Sequence, residues 1–248
     1  MELPDSLITA LREARHVAVL TGAGVSAESN IPTFRDAMTG LWARYQPEEL
    51  ATPEAFTRNP KMVWEWYQWR RELVSAAKPN PGHHALAALQ RRVPTFSLIT
   101  QNVDSLHQQS GSSDVIALHG NIARTKCSQE HVIVDSWPAT EQVPPPCPHC
   151  GAYLRPDVVW FGESLNPDHL KRAASAAESC DIFFSVGTSA QVNPAASLIF
   201  ATMRRGGVTV EINPVETPQS KLVTHALSGP SGEILPALLA AAWPDGTI

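Results

Sequence analysis

Cysteine is scarce in this chain, with four residues in 248: Cys127, Cys147, Cys150 and Cys180. A secreted fold stapled by disulfides is thereby disfavoured, and the C-x-x-C at Cys147 and Cys150 points instead to a metal site or spare thiols. Long hydrophobic runs are missing as well. No apolar stretch approaches the roughly 18–20 residues that span a bilayer. The first residues, MELPDSLITALREARH, carry acids early and hold no apolar core, unlike a secretory signal. An excess of basic charge is also absent. Lys and Arg number 19 against 24 Asp and Glu, a net charge of −5. That argues against gripping nucleic acid through bulk electrostatics and leaves basic partners open. Repeats and low-complexity tracts are lacking too. What is present is globular: 43% hydrophobic and 17% charged residues, on a chain long enough to bury a core unaided. The expectation is a soluble cytoplasmic protein of one large or two small domains, with no membrane and no nucleic-acid partner.

Short apolar runs bounded by polar or glycine clusters predict buried parallel strands at His16–Leu20, Phe96–Thr100, Val115–Leu118, Asp181–Val186 and Val208–Ile212. Helical patterns fall at Ser6–Arg15, Pro60–Ala77, His83–Gln90, Pro167–Ser179, Pro194–Arg205 and Gly232–Ala242. This alternation predicts an α/β fold with a parallel sheet. Thr125 to Pro156, with its PPPCPHCG, breaks the rhythm and reads as an inserted small module. In open α/β sheets ligands bind beyond the carboxyl ends of the strands. Here the five runs end in Thr21-Gly22-Ala23-Gly24-Val25-Ser26, Gln101-Asn102-Val103-Asp104, His119-Gly120, Gly187-Thr188-Ser189 and Asn213-Pro214. Loops are ordinarily rich in such residues, which accounts for one loop and strains for five.

The turn Gly22-Ala23-Gly24 would let backbone N–H groups approach a phosphate. Many tight turns read G-x-G, and the third glycine of a dinucleotide fingerprint is missing. The continuation is more specific. The run GAGVSAESNIPTFRD…GLW resembles the sirtuin family, the NAD-dependent protein-lysine deacylases. TQNVDSLH, LHGN, CPHCG, LRPDVVWFGE, VGTSAQVNPA and EINP match in the family's order, so the resemblance spans about residues 14 to 236. It implies a Rossmann-like parallel sheet, about 1–36, 80–124 and 157–248. A smaller helical and zinc-ribbon-like module is inserted at about 37–79 and 125–156.

The resemblance assigns NAD to Gly22, Ala23, Gly24, Ser26 and Ala27, with Phe34, Arg35, Asp36 and Trp42 on a loop ordering over the nicotinamide ribose. Read alone, the FRD triplet is a surface ion pair beside a packed Phe. Gln101, Asn102 and Asp104 carry groups that can hydrogen-bond ribose hydroxyls and a carboxamide, although Asx turns serve each of them equally well. The resemblance makes Asn102 and Asp104 part of the reactive pose. It also places Gly187, Thr188, Ser189, Asn213 and Ser231 at the adenosine half. Asn30 and Ser105 stand where the family usually has Gly, and Asn tolerates left-handed φ. A histidine in an ALHG context is more often structural than catalytic. In the sirtuin scheme, however, His119 takes a proton from a ribose hydroxyl after the acyl oxygen has attacked the ribose carbon and nicotinamide has left. The products are lysine, nicotinamide and 2′-O-acyl-ADP-ribose.

Val158, Val159, Trp160, Phe161, Gly162 and Glu163 read as an ordinary strand; in the family such a segment pairs with an acylated-lysine peptide. Tyr67 and Arg70 share a helix face at i, i+3, where a phenol and a guanidinium make a carboxylate receptor. The plain alternative is a packed Tyr and a solvated Arg. The resemblance is to the branch that carries this Y-x-x-R and removes succinyl and malonyl groups, with the small Ala51 leaving room for the chain. Cys127, Cys147 and Cys150 match three of the family's four zinc thiolates, and Glu130 stands in place of the fourth. Either zinc is held by three thiolates with His131, Glu130 or water, or the site is decaying. Cys180 reads as a small core hydrophobe. Two other functions stay open on the sequence: NAD-dependent transfer of ADP-ribose to protein, and non-catalytic NAD sensing.

Overall fold

The structure is a computed structural model that describes residues 3–33 and 50–244. Among these residues the elements run α1 (Asp5–Glu13), β1 (His16–Thr21), α2 (Ala23–Ala27), α3 (Pro53–Arg58), α4 (Pro60–Ala76), α5 (Pro81–Arg92), β2 (Thr95–Thr100), α6 (Leu106–Gln109), β3 (Ile116–Ala117), β4 (Gly120–Cys127), β5 (Leu154–Val158), α7 (Pro167–Ser179), β6 (Ile182–Val186), α8 (Ile199–Arg204), β7 (Val208–Asn213), β8 (His225–Ser228) and α9 (Ser231–Ala242). Six strands form one parallel sheet in the order β3-β2-β1-β6-β7-β8. None of the helices described is long and apolar enough to cross a membrane.

Strand alternation builds two cores from this sheet. Val17 and Val19 of β1, with Ile182 and Phe184 of β6, pack beneath α1, α5 and α9. Ala18, Leu20 and Phe183 turn to the other face, where Ala173, Ala176 and Ala177 of α7 and Ile199 of α8 cover them. Most interior positions are therefore apolar, as a sheet covered on both faces requires, with Thr21, Thr100, Ser185, Thr209 and Glu211 as buried polar exceptions. Caps fix where the helices start. The Asn80 side chain accepts from the backbone of Gly82 and His83 while the His83 ring accepts from the Asn80 amide, and Pro81 follows at the first helical position.

The strand order reverses between β1 and β6, so their carboxyl ends open a crevice. Two turns meet there backbone to backbone. Gly22 N donates to Val186 O at 3.0 Å, and Gly24 N donates to Gly187 O at 2.9 Å. A Cβ on Gly24 would sit 2.8 Å from both Gly187 Cα and Gly187 O, and Gly187 itself has φ +60°. The glycines are thus demanded by the packing of one turn on the other. The amides of Gly22 and Gly24 themselves are taken by the end of β6 and the residue after it.

A second body stands beside the sheet. β4 and β5 pair antiparallel, with an irregularity between Asn121 and Thr125. α3 and α4 pack on them through Ala51, Phe56, Val63, Trp66, Tyr67, Ile122, Val158 and Trp160. Arg71 anchors α4 by donating to the carbonyls of Ile122 and Arg124 at 2.6 and 2.8 Å. β4 and β5 thus run from the crevice into the segment read from sequence as an inserted module.

Four differences from the sequence reading have local causes. β8 was not expected, because HALS buries one apolar side chain, Leu227, at the sheet edge. The β4–β5 pair was hidden by Pro156 and by charged residues that an edge pair tolerates. The strand expected at Val158–Glu163 ends at Val158, and a turn follows with Gly162 at φ +89°. The helix expected at Pro194–Arg205 divides into a 3₁₀ turn, Ala195–Ser197, and α8. As expected, Asn30 keeps left-handed geometry, at φ 62°. Ser105 has φ −117° and needs no glycine.

Gly24→Ala should destabilise the fold by about 1–3 kcal/mol, the usual cost of overpacking. Urea denaturation of the two proteins would measure it. An unchanged midpoint would mean that the β1 and β6 turns can separate freely.

Candidate active site

The residues expected to act from the second strand are joined to the first turn by hydrogen bonds. Asn102 Nδ2 donates to Gly22 O and to Ser26 Oγ, each at 3.0 Å, and Ser26 Oγ donates to Asp104 Oδ2 at 2.8 Å. Asp104 Oδ1 accepts from Leu106 N at 3.0 Å. Ser26, Asn102 and Asp104 are all buried. Burial pushes the Asp104 carboxyl above its ordinary range, and its hydrogen bonds from Leu106 and Ser26 work against that shift. Below them lies a second layer. Thr21 Oγ1 donates to Thr100 Oγ1 at 2.9 Å and lies 2.9 Å from His107 Nε2. Burial lowers the His107 pKa to about 3, so its ring stays neutral.

His119 sits at the end of β3, half-buried. Its Nδ1 lies 2.8 Å from Gln101 O. A carbonyl only accepts, so Nδ1 carries the hydrogen and Nε2 keeps the basic lone pair. Burial lowers the His119 pKa and outweighs the opposing bond to Gln101. The result is a neutral imidazole of fixed tautomer, suited to accepting a proton at Nε2. The His119 carbonyl accepts from Val159 N at 2.9 Å, and Ala51 O accepts from Phe161 N at 2.9 Å. The segment after β5 is therefore pinned between the histidine and Ala51.

That segment forms one wall of an apolar cluster containing Ala51, Phe56, Tyr67, Val158 and Trp160, while Phe161 points outward at 46% exposure. Trp160 Nε1 donates to Tyr67 Oη at 2.9 Å. Burial raises the Tyr67 pKa, so its phenol stays protonated. Arg70 is buried beside it, its guanidinium 5.3 Å from the Trp66 ring centroid. Burial lowers its pKa, and Tyr67 opposes that shift. The solvated Arg of the plain reading is thus replaced by a desolvated cation next to a phenol. Arg155, also buried, pairs with Glu163 at 2.5 Å. Burial would raise the Glu163 pKa, but Arg155, the Trp160 amide and Lys126 outweigh it and hold the carboxyl ionised.

At the adenosine side expected from the sequence, Gly187 and Thr188 follow β6, with Thr188 Oγ1 3.0 Å from Ser185 Oγ, and half-buried Ser189 follows them. Asn213 Nδ2 donates to Val215 O. Ser231 Oγ donates to Glu28 Oε1 at 2.5 Å, and the same carboxylate accepts from Gly232 N at the start of α9. Ala23 and Ala27 lie on α2. Phe34, Arg35, Asp36 and Trp42 lie outside the described residues.

Of the candidates for a fourth ligand, the structure groups Glu130 with the three cysteines. Cys127, Glu130, Cys147 and Cys150 bring one ligand atom each within 4.8 Å of one another, and His131 is not in the group. Cys127 Sγ and Cys150 Sγ are 3.4 Å apart, close to the roughly 3.8 Å edge of a tetrahedral Zn–thiolate site. Glu130 N donates to Cys127 Sγ at 3.3 Å, and Gly151, at φ +78°, closes the C-P-H-C-G turn. Three thiolates and a carboxylate fit Zn(II), which would tie β4, β5 and the loop between them together. Cys180 is fully buried with its sulfur 3.3 Å from Thr202 Oγ1, a packed thiol as expected.

A reversed parallel sheet with glycine turns at its switch point, a buried Asn–Ser–Asp set and a neutral histidine defines a nucleotide-using α/β enzyme. Residues 22–194 match the Sir2 family. A relative from Methylococcus capsulatus named NAD-dependent protein deacylase is 49% identical, covering 97% of this chain and 98% of the relative. A solved Sir2 homologue–NAD complex superposes with a TM-score of 0.91 at 46% identity, covering 98% of this chain and 95% of the other. A mutant Sir2 homologue in complex with 2′-O-acetyl ADP ribose has TM-score 0.91 and 44% identity, covering 99% of each chain. The chain belongs to the Sir2 family, and it is a sirtuin-type enzyme.

Two measurements follow from this geometry. The imidazole of His119, followed by NMR in the ligand-free protein, should titrate below the ordinary 6.5; a midpoint above that would contradict the burial argument. The protein prepared without chelators should carry about one equivalent of zinc. Glu130→Ala should release the metal to a chelator faster, by more than the roughly 10–100-fold typical of outer-shell changes. Glu130→Cys should release it more slowly, and His131→Ala should match the parent. Equal release from Glu130→Ala and the parent would remove Glu130 from the ligand set.

Proposed function

We propose that this sirtuin-type NAD-dependent protein deacylase acts on lysine side chains bearing acyl groups that end in a carboxylate, succinyl and malonyl, and also on acetyl-lysine. The observation that carries the reading is the burial of Arg70 beside the Tyr67 hydroxyl, at an apolar cluster that also contains Ala51 and Trp160. A guanidinium and a phenol side by side both donate, and a carboxylate accepts from both. A succinyl or malonyl carboxylate entering along the lysine stem would meet both groups, with Arg70 able to bind it bidentately.

NAD, as co-substrate, supplies the ribose carbon that receives the acyl oxygen as nicotinamide departs. The chain's own residues do the rest. The Asn102, Ser26 and Asp104 set, locked to the Gly22 carbonyl, orients the nicotinamide ribose. His119 Nε2 takes the proton of a ribose hydroxyl, so that this oxygen can accept the acyl group. One water is consumed, and lysine, nicotinamide and 2′-O-acyl-ADP-ribose are released. The acylated peptide lies along the segment from Val158 to Gly162, where exposed Phe161 offers an apolar contact.

Kinetics on one peptide bearing succinyl-, malonyl- or acetyl-lysine test this directly. Arg70→Met should lower kcat/KM for succinyl-lysine roughly 10–100-fold, from loss of a hydrogen-bonded charge partner. Acetyl-lysine, which has no carboxylate, should lose far less. Equal losses on both acyl groups would sink the carboxylate-receptor reading, and ADP-ribosylated protein in place of O-acyl-ADP-ribose would sink the deacylase chemistry.

A further inference from the structure

Trp160 is held from four sides. The Arg155 guanidinium carbon lies 3.2 Å from its ring centroid. The same guanidinium grips Glu163 with both terminal nitrogens, at 2.5 and 2.9 Å, and donates to Val158 O at 2.9 Å. Glu163 Oε2 also accepts from the Trp160 backbone N at 2.8 Å, which closes the turn on the indole. The Phe56 ring packs against Trp160 at 5.2 Å between centroids. Arg155 is 3% exposed. A buried ion pair is weak evidence for added stability and better evidence for fixing one arrangement. The arrangement fixed here directs the indole N–H at Tyr67 Oη, at 2.9 Å in a buried setting.

An indole nitrogen only donates. It fills an acceptor direction of the phenol oxygen and cannot take the phenol's proton. The Tyr67 proton must therefore point to some other group. Arg70, beside it, is likewise donor-only. A carboxylate, which only accepts, can therefore take a bond from the Tyr67 hydroxyl and from Arg70 together.

We propose that Trp160 is a positioning residue for the carboxylate end of the acyl group, acting through the Tyr67 hydroxyl, and that the Arg155–Glu163 pair holds it in that role. This rests on the carboxylate-receptor reading of Tyr67 and Arg70. Phe keeps a ring over Arg155 and removes the N–H, so Trp160→Phe isolates the bond.

The experiment is steady-state kinetics at saturating NAD with one peptide carrying succinyl- or acetyl-lysine, for the parent, Trp160→Phe, Tyr67→Phe and the double variant. Trp160→Phe should lower the succinyl-to-acetyl ratio of kcat/KM roughly 3–10-fold, the worth of one neutral hydrogen bond, with most of the succinyl loss in KM. In the Tyr67→Phe background the same change should lower the ratio no further. An unchanged ratio, or losses that multiply in the double variant, would overturn the proposal. If Trp160→Phe fails to fold, Glu163→Gln loosens the clamp while keeping the indole. It should lower the ratio in the parent and not in Tyr67→Phe, and an unchanged ratio in the parent would again overturn it. Arg70→Met in the same series separates the two readings. An equal loss on both acyl groups would remove the receptor and this proposal with it. A selective loss there, with an unchanged ratio in Trp160→Phe, would overturn this proposal alone.

Discussion

Two turns, one after β1 and one after β6, touch without a side chain between them, and the site is assembled around that contact. Gly22 and Gly24 give their amides to Val186 and Gly187, and Gly187 bends away at a left-handed φ that a side chain would strain. Because the strand order reverses at this pair, the contact sets the floor of the crevice. The Gly22 carbonyl accepts from Asn102, Asn102 and Asp104 share the Ser26 hydroxyl, and the Gln101 carbonyl next to Asn102 holds the His119 ring. A shift at the glycines would be passed along these bonds to the His119 ring. That chain of short contacts gives the preorganisation that positioned acid–base chemistry needs.

Desolvation governs the second cluster. Three polar side chains are buried at its aromatic residues: Tyr67 against Trp66, Arg70 over Trp66 and Arg155 over Trp160. Arg155 is matched within the protein by Glu163, in a pair that leaves its charge satisfied. Arg70 sits on α4, which Arg71 fastens to the backbone of β4, so the helix cannot roll to carry the guanidinium to water without breaking those bonds. Two neighbouring arginines of one helix thus have separate surroundings, one bonded to the β4 backbone and one buried over Trp66, because consecutive helical residues point about 100° apart.

The sheet was legible where the sequence speaks in apolar runs. β1 and β6 bury nearly every residue, β7 its middle and β2 its carboxyl half, and such stretches are written in apolar runs. β8 and the β4–β5 pair were not legible for the opposite reason. β8 buries one side chain, and β5, although mostly buried, carries Arg155, Pro156 and Asp157 because Glu163, the edge position and Lys126 with Arg124 satisfy them there. The motif residues converge at the crevice as their places after the strands foretold. The use of the glycine amides could not be read, since G-x-G spells the same letters whether the turn faces a phosphate or another turn. Nor could the partners of Tyr67 and Glu130, 93 residues away in one case and across a loop in the other. A charged Arg inside an apolar segment with a Glu past the next turn was the available signal for the clamp on Trp160.

The antiparallel pair links the metal cluster to the chemistry through covalent continuity. β4 begins at Gly120, beside His119, and ends at Cys127; β5 begins at Leu154, packed against Cys127 and Cys147, and ends at Val158, before Trp160. The far end of this ribbon has a small apolar cluster, Trp64, Cys127, Val134, Cys147 and Leu154, and exposed Val132 and Ile133 nearby. A core that small supplies little stabilisation of its own, and two-stranded ribbons are marginal in water. A divalent ion bound by Cys127 on β4 and by Glu130, Cys147 and Cys150 on the loop would close the ribbon at the end remote from the crevice. Replacing one thiolate with a carboxylate keeps the ligand charge the same while substituting a harder donor on the solvent side, since Glu130 and Cys150 are exposed and Cys127 and Cys147 buried. Such a site would have no step of the reaction to perform. It would hold β4 and β5 in register, with His119 before one strand's start and Trp160 just past the other's end.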